Sequence, residues 1–169
     1  MVRWNITEMD ENHLEQVMEI ERASFPTPWS EKMFLEELTS PLSLHFVASQ
    51  QKKQRNLILS YIIFWMLKEE VHILNLATHP AFRRLGIAQS LLLFALDFSY
   101  RKGGILYLLE AREKNQAALH LYRKAGFVAR GVRKKYYADT GEDAILMELF
   151  YGDRAYEEKD NGQARLPQG

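Results

Sequence analysis

The sequence contains no cysteine among its 169 residues. This absence excludes a disulfide scaffold, a cysteine-rich zinc site and catalysis by a thiol nucleophile. Long apolar runs are also missing, because the longest apolar segments are shorter than the roughly 20 residues that a membrane helix needs. The stretch Met1 to Asp10 has no basic segment that leads into an apolar one, as a secretory signal would. We therefore expect a soluble, cytoplasmic protein that has no membrane partner.

Neither positive nor negative residues are in excess. Lys plus Arg and Asp plus Glu both number 22, so the formal net charge is zero. Nothing in this balance indicates a nucleic-acid partner, and the basic cluster Arg130, Arg133, Lys134 and Lys135 fits a solvated strand face. The five histidines show no metal-binding spacing such as H-x-x-x-H. We therefore expect neither direct nucleic-acid binding nor a metal ion.

What is present indicates one globular domain. Hydrophobic residues make up 47% of the chain and charged residues 26%, which is typical of a folded protein with a core. A chain of this length fits a single domain, and we expect that domain to cover residues 1–151. Residues 152–169 are mostly Gly, Asp, Glu, Lys, Gln and Pro, so we expect a disordered tail there.

Runs of β-branched and aromatic residues predict the strands. The hairpins among them are expected to turn at Gln50 to Asn56 and at Asp139-Thr140-Gly141. The predicted strands are Val2 to Thr7, Leu44 to Ser49, Leu57 to Lys68, Val71 to Thr78, Ile105 to Glu110, Val128 to Tyr137 and Ala144 to Phe150.

Apolar residues at helical spacing predict four helices. Asp10 is placed to cap the first helix, and Ser30 is placed to cap a second that runs to about Thr39. The fourth runs from Asn115 to Lys124, with Gly126 as its left-handed C-terminal cap. The long third helix keeps one apolar face, as a helix packed on a sheet requires: Ile87, Leu91, Phe94, Ala95 and Phe98. Strands and helices together predict a mixed α+β fold.

The segment from Asn75 to Ala88 reads as a strand, a short turn and a helix start. Backbone N–H groups from Arg84 to Gln89 are unpaired within such a helix, and the helix dipole favours a negative charge beside them. Gly86 and Ala88 have side chains small enough to let phosphate oxygens approach the backbone. Taken alone, the pattern R-x-x-G-x-A also fits solvated arginines and a loop glycine. Neither a Walker loop nor a G-x-G-x-x-G fingerprint occurs.

The segment Arg83-Arg84-Leu85-Gly86-Ile87-Ala88 resembles the acetyl-CoA pyrophosphate loop of GNAT acetyltransferases, whose pattern is Q/R-x-x-G-x-G/A. The resemblance continues through Leu108 to Arg112, Asn115 and Ala118 to Phe127, and it covers roughly Asn5 to Phe150. Three further pieces resemble the ribosomal-protein alanine N-acetyltransferases (RimI type) within that superfamily. They are Phe25 to Ser30, Tyr136-Tyr137, and Glu142 to Met147.

The resemblance implies a GNAT fold and acetyl-CoA as cosubstrate. Such a fold has a central, mostly antiparallel sheet of six or seven strands with a V-shaped split between the fourth and fifth strands, flanked by about four helices. The implied cofactor-binding residues are Leu76, Ala77, Thr78, Arg84, Leu85, Gly86, Ile87, Ala88, Gln89 and Asn115.

Direct acetyl transfer requires a base for the acceptor amine and an acid for the departing thiolate. By resemblance, Glu110 accepts the amine proton, directly or through water, and Tyr122 protonates the coenzyme A sulfur. Asn115 and Tyr122 are seven residues apart, two helical turns, and therefore face the same side. Simpler roles remain open: Glu110 paired with Arg112, Tyr122 as a core aromatic, and Asn115 as a helix cap.

The resemblance also places Trp29, Tyr136 and Tyr137 around the acceptor, although core packing would explain Trp29 equally well. If the strand alternates, one of the two adjacent tyrosines must face outward. The acceptor implied is a protein N-terminus, specifically the N-terminal alanine of a small-subunit ribosomal protein. A small-molecule amine as acceptor, or a non-catalytic acetyl-CoA-binding module, are the alternative interpretations.

Overall fold

The computed structural model describes residues 2–52 and 55–151. This part of the chain folds into seven strands and four α-helices, which confirms the mixed α+β class. The tail at 152–169 lies outside the described residues, so its disorder stays a prediction. The strands are β1 (Asn5–Glu8), β2 (Ser43–Lys52), β3 (Arg55–Leu67), β4 (Glu70–Thr78), β5 (Leu106–Arg112), β6 (Val128–Tyr137) and β7 (Glu142–Phe150). The helices are α1 (Leu14–Ser24), α2 (Glu31–Thr39), α3 (Ile87–Tyr100) and α4 (Gln116–Lys124).

The helix boundaries follow the predicted capping residues. Ser30 Oγ accepts a hydrogen bond from the Met33 backbone N–H at 3.3 Å, and Asn115 Oδ1 accepts one from the Ala118 N–H at 3.1 Å. Asp10 caps a short 3-10 turn, Glu11–His13, that leads into α1. Gly126 follows Ala125, the C-cap residue of α4, and has φ 101°, as a left-handed C-terminal cap requires.

The largest differences from the predicted strand boundaries lie in β1 and in the β2–β3 hairpin. β1 covers Asn5–Glu8, because these residues pair with β2, whereas Val2 and Trp4 pack their side chains on the core. The predicted turn from Gln50 to Asn56 is shorter, because the β2–β3 ladder continues to the pair Lys52 and Arg55. Main-chain pairing overrides the weak strand propensity of the polar residues there.

The seven strands form one sheet in the order β1-β2-β3-β4-β5-β7-β6. β4 and β5 run parallel, and every other neighbouring pair is antiparallel. The parallel ladder is short: it begins at Glu70 opposite Leu106 and ends at Ile73 opposite Leu109. Both strands continue past that point without pairing to each other, which confirms the split between the fourth and fifth strands.

A β-bulge lies where the split opens. Ile63 of β3 pairs with Asn75, and Phe64 pairs with Ile73, so Leu74 of β4 has no partner in β3. A bulge bends the strand that contains it. The bend turns the second half of β4, Asn75 to Thr78, away from β5.

The helices cover the two faces of the sheet. One core cluster contains Leu91 and Leu96 of α3 and Leu119 of α4, and the other contains Val17 of α1 and Phe34 of α2. All five side chains are at most 2% exposed, and burying a side chain of this kind contributes roughly 1.5–3 kcal/mol. This packing fixes the helix ends against the split. In the described part of the chain, no helix has the length and apolar character needed to cross a membrane.

Candidate active site

The start of α3 is the predicted anion site. Its N-cap is Gly86, with φ 82°, and no side chain caps this helix in the described structure. The first helical hydrogen bond runs from the Ser90 N–H to the Gly86 carbonyl at 3.0 Å. The N–H groups from Gly86 to Gln89 precede that bond and have no helical acceptor. A Cβ at Gly86 would find nothing within 4 Å, so a phosphate can approach the backbone there.

The two arginines of the loop have different contacts. Arg83 Nε donates to the Thr78 carbonyl at 3.1 Å, and its Nη2 donates to Ser24 Oγ at 3.0 Å. Arg83 therefore ties the loop to the ends of β4 and α1. Arg84 is exposed, has a left-handed backbone with φ 66°, and lines a cleft.

That larger cleft has a volume of about 500 Å³ and lies between β4, the start of α3 and α4. Leu85 belongs to the same loop, but it does not line the cleft and is 47% exposed. The other predicted cofactor residues do line it: Leu76, Ala77, Thr78, Arg84, Gly86, Ile87, Ala88, Gln89 and Asn115.

Two basic residues of α4 also line the larger cleft and were not predicted as site residues. They are His120 and Lys124. The spacing of Ala117, His120, Leu121 and Lys124 places these residues on one face of α4, and this pattern was a usable signal. Together with the uncapped start of α3, these residues give the cleft hydrogen-bond donors, and Arg84 and Lys124 give it the positive charge that a phosphate-bearing ligand requires.

A smaller cleft of about 180 Å³ lies in the split itself. Ile73 to Leu76 of β4 line one side and Glu110 to Arg112 of β5 line the other. Residues common to both clefts mark where the two meet: Phe25, Leu76, Asn115, Ala118 and Tyr122.

Tyr122 combines a core position with a position at this junction. It is 8% exposed, and its ring meets the Phe127 ring edge-on at 5.8 Å between centroids. Burial raises the pKa of the Tyr122 hydroxyl far above its ordinary value, so the hydroxyl holds its proton at neutral pH. Asn115 likewise combines two positions, since it caps α4 and lines both clefts.

Glu110 lines the smaller cleft with a side chain that is 30% exposed. Its Oε1 lies 2.8 Å from Nη1 of Arg133 in β6. A hydrogen bond to Glu110 also raises the pKa of the Tyr136 hydroxyl. The suggested pairing of Glu110 with Arg112 is wrong, because the carboxylates that Arg112 contacts are those of Asp139 and Glu142.

A wide irregularity in β6 places the two tyrosines. Arg133 pairs with Ala144 and Tyr137 pairs with Glu142, so Lys134 to Tyr136 stand opposite Asp143 alone. Simple alternation therefore does not hold in this stretch. Tyr137 lines the smaller cleft, whereas Tyr136 is 46% exposed and does not line it. The two rings meet edge-on at 5.2 Å.

Trp29 also has two positions. Its ring packs on Phe34 with centroids 5.4 Å apart, and the same residue lines the smaller cleft. Trp29 therefore packs against the core and also lines the smaller cleft.

Thr27 and Asp139 bridge the segments on either side of the smaller cleft. Thr27 Oγ1 donates to Asp139 Oδ2 at 2.6 Å, and Arg112 Nη2 donates to the same oxygen at 2.7 Å. The Arg112 guanidinium lies 4.0 Å from the centre of the Tyr137 ring. Burial raises the pKa of the Tyr137 hydroxyl to about 12. Nothing in the local sequence signals this bridge.

Glu21 of α1 is a second group that sequence reasoning missed. It is 1% exposed and lines the smaller cleft. Its carboxylate accepts hydrogen bonds from the Trp29 backbone N–H at 2.8 Å, from Asn75 Nδ2 at 3.0 Å and from the Tyr61 hydroxyl. The loop that contains Trp29, β3 and β4 therefore meet at one buried carboxylate.

The split sheet and the uncapped helix facing it define an acetyltransferase of the GNAT class. The Acetyltransferase (GNAT) family matches residues 14–127, and the chain belongs to this family. It is an enzyme, an acyltransferase.

Particular relatives narrow the comparison. The chain is 36% identical to the N-alpha-acetyltransferase RimI of Mycobacterium tuberculosis over 132 residues, 75% of this chain and 78% of the relative. It is 32% identical to the ribosomal protein bS18-alanine N-acetyltransferase of Salmonella typhimurium over 134 residues, 78% and 86% of the two chains. The crystal structure of the ribosomal-protein-S18-alanine N-acetyltransferase from Escherichia coli superposes with a TM-score of 0.79 at 30% identity, covering 88% of this chain and 94% of that one.

Proposed function

We propose that the enzyme transfers the acetyl group of acetyl-CoA directly to the N-terminal α-amine of a protein, and that the acceptor is the N-terminal alanine of a small-subunit ribosomal protein. The observation that carries the proposal is the junction of the two clefts. Tyr122 borders both of them, and Glu110 lines the smaller one. A donor in one cleft and an acceptor in the other would meet beside a protonated tyrosine and a carboxylate.

Acetyl-CoA is assigned to the larger cleft, where it supplies a thioester as acyl donor. The N–H groups at the start of α3 suit its pyrophosphate. The edge of β4 from Leu76 to Thr78, which has no pairing to β5, suits its pantetheine arm, because an amide-bearing chain can hydrogen-bond to an open strand edge. Asn115 and Leu85 complete the proposed set, Leu85 through its main chain only.

The proposed chemistry uses one base and one acid. Glu110 takes a proton from the acceptor amine, an α-amine with a pKa of about 8 that requires modest help. The nitrogen then forms a bond to the acetyl carbon, and the carbon–sulfur bond breaks. The nitrogen releases its second proton to water as the amide forms, and Tyr122 gives its own proton to the departing sulfur. A backbone N–H of the open β4 edge is the proposed donor to the carbonyl oxygen.

The shape of the smaller cleft supports a peptide acceptor. Trp29 and Tyr137 form two of its walls, and such aromatic walls suit a peptide backbone. Tyr136, outside the cleft, is assigned to the residues that follow in the acceptor. The named activities of the Salmonella and E. coli relatives support the same acceptor, an N-terminal alanine.

The basic residues of β6 support a protein substrate more than a nucleic acid. Arg130 Nε lies 2.6 Å from Glu148, Arg133 pairs with Glu110, and Lys134 Nζ lies 2.7 Å from Asp143. Three members of the cluster are thus matched by carboxylates of the chain.

A coenzyme A release assay tests the proposal. Acetyl-CoA is combined with peptides that begin with alanine, serine or methionine, with the same peptides blocked at their N-terminus, and with polyamines. We expect turnover with free peptide N-termini, highest for the alanine sequence of the ribosomal protein, and none with blocked peptides. Turnover with polyamines alone would show that the acceptor is a small-molecule amine and not a protein N-terminus. Acetyl-CoA binding without turnover of any amine would indicate a non-catalytic module.

A further inference from the structure

The carboxylate of Glu21 has room for one more hydrogen-bond donor. An ionised carboxylate offers about four lone-pair sites. Oε2 accepts from Tyr61 and Asn75, and Oε1 accepts from the Trp29 N–H alone. One site on Oε1 is therefore open in a side chain that is 1% exposed and lines the smaller cleft.

Glu21 is also the unmatched charge of that cleft. Two other charged residues line this cleft, and both are matched: Arg112 pairs with Asp139 and Glu142, and Glu110 pairs with Arg133. Among residues 2–52 and 55–151, no cationic side chain pairs with Glu21. A buried charge without a partner of opposite sign is costly. A cation that enters this cleft would therefore supply the counter-charge that Glu21 lacks in the fold.

The three donors suit the ionised form of the carboxylate. The Trp29 N–H and the Asn75 amide N–H can only donate, and they point at the carboxylate oxygens. Burial and then the charge of Glu21 raise the pKa of the Tyr61 hydroxyl, which keeps that hydroxyl a donor as well. The contacts hold a negative charge in place without neutralising it.

We propose that Glu21 is a specificity-determining residue that selects the cationic form of the acceptor. The acceptor amine is an ammonium ion at neutral pH, because an α-amine has a pKa of about 8. Glu21 provides its counter-charge in the cleft, where its burial makes the attraction stronger than in bulk water. Glu110 then removes the proton. The inference rests on the proposed function, since it places the acceptor in the smaller cleft.

A purely structural role for Glu21 would give a different result. If Glu21 only holds Trp29, Tyr61 and Asn75 in place, its replacement would weaken the binding of every ligand in the smaller cleft equally. Recognition of charge affects only ligands that carry the charge. The difference is measurable with two peptides of the same shape, one beginning with alanine and one beginning with lactic acid, in which a hydroxyl replaces the amine.

Calorimetric titration of both peptides into the coenzyme A complex tests the proposal. We expect wild type to bind the alanine peptide at least about tenfold more tightly than the lactyl peptide, which is the scale of one charge-assisted hydrogen bond. Glu21→Gln should remove most of that preference. Glu19→Gln, an exposed carboxylate change on the same helix, should leave it intact. Equal binding of both peptides by wild type, or equal weakening of both by E21Q, would overturn the inference.

A second variant keeps the test decisive if E21Q fails to fold. Glu110→Gln removes the other carboxylate of the cleft, and we expect it to retain the preference for the alanine peptide. Loss of the preference in E110Q would assign charge recognition to Glu110 and reject Glu21.

A wrong choice of acceptor can be distinguished from a wrong role for Glu21. If wild type acetylates alkylamines and no peptide, the same titration is run with an alkylamine and the alcohol of equal length. A preference for the amine that E21Q removes would then support Glu21 with a different acceptor.

Discussion

Arg112 holds Asp139 through two parallel hydrogen bonds, Nη2 to Oδ2 at 2.7 Å and Nη1 to Oδ1 at 3.1 Å. Because Asp139 Oδ2 also accepts from Thr27, the end of β5, the β6–β7 turn and the loop before α2 form one connected unit beside the smaller cleft. The walls of the smaller cleft are therefore held together by a carboxylate that does not itself line the cleft.

Asp139→Asn should weaken acceptor binding without affecting acetyl-CoA. Asparagine keeps the shape but loses the charge that Arg112 pairs with. We expect the acceptor KM to rise roughly three- to tenfold, the scale of one charge-assisted contact partly screened by solvent. Asp143→Asn, which removes the partner of Lys134 in the same hairpin, is the matched control. An unchanged acceptor KM in D139N would show that the contacts of Asp139 with Thr27 and Arg112 do not affect acceptor binding.

The same carboxylate gives a pH dependence of stability. Hydrogen bonds from Arg112 and then Thr27 lower the pKa of Asp139 from 3.8 to about 2. A lowered pKa in the folded state means that its contribution to stability is complete above the ordinary value and is lost as pH falls toward about 2. The difference in Tm between wild type and D139N should be constant from pH 7 to about 5, then shrink between about 4 and 2. A difference that stays constant to pH 2 would contradict this.

Tyr122→Phe should lower kcat by about 100-fold or more, the scale expected for the loss of a general acid. Phenylalanine keeps the ring that packs on Phe127, so acetyl-CoA affinity should be nearly unchanged. Tyr107→Phe is the control, because Tyr107 is a buried tyrosine whose hydroxyl bonds to Leu96 and Ser99 away from both clefts. Y107F should lower Tm and leave kcat in place. Normal turnover in Y122F would remove Tyr122 from the mechanism.

Glu110→Gln should shift the pH dependence of kcat/KM toward alkaline values, where the amine loses its proton unaided. The measurement is a rate profile from pH 6 to 10 with the alanine peptide. Glu148→Gln, which removes the partner of Arg130 on neighbouring β7, should give the wild-type profile. An unshifted profile for E110Q would transfer the role of base to another group.

Gly86→Ala should separate backbone strain from phosphate binding. Gly86 and Gly103 both have positive φ, 82° and 100°, and a Cβ at either finds nothing within 4 Å. Alanine in such a conformation costs about 1–2 kcal/mol at each position. Gly86→Ala and Gly103→Ala should therefore lose similar amounts of folding stability. We expect only G86A to weaken acetyl-CoA binding, measured by titration, because Gly103 lies after α3, outside both clefts. Equal acetyl-CoA affinities would place the phosphates elsewhere.

Much of the fold was predictable because its signals are local. Ser30, Asn115 and Gly126 act within one helical turn of themselves, and the strand–turn–helix pattern before Ile87 is contained in about a dozen residues. The mostly antiparallel sheet and the split between the fourth and fifth strands followed from the family resemblance.

The missed residues depend on distant partners. Glu21 follows Leu14, Val17 and Met18 at helical spacing, so its buried position was visible in the pattern, but a charged side chain is by default exposed. Its donors come from β3, β4 and a loop. Arg112 pairs with Asp139 across a hairpin and not with Glu110 two residues away. The irregularity opposite Asp143 leaves Tyr137 in the cleft and Tyr136 outside it.

The divergence of β4 from β5 gives this sheet an edge in its interior. Open main-chain groups at the rim of a sheet invite strands from other chains and promote aggregation. Here the β4 edge from Leu76 to Thr78, which is not paired with β5, lies in a cleft walled by α4 and the start of α3. A slender ligand with amide groups can pair with this edge. Because α4 and the start of α3 line the same cleft, this pairing surface lies inside a cleft and not at the outer rim of the sheet.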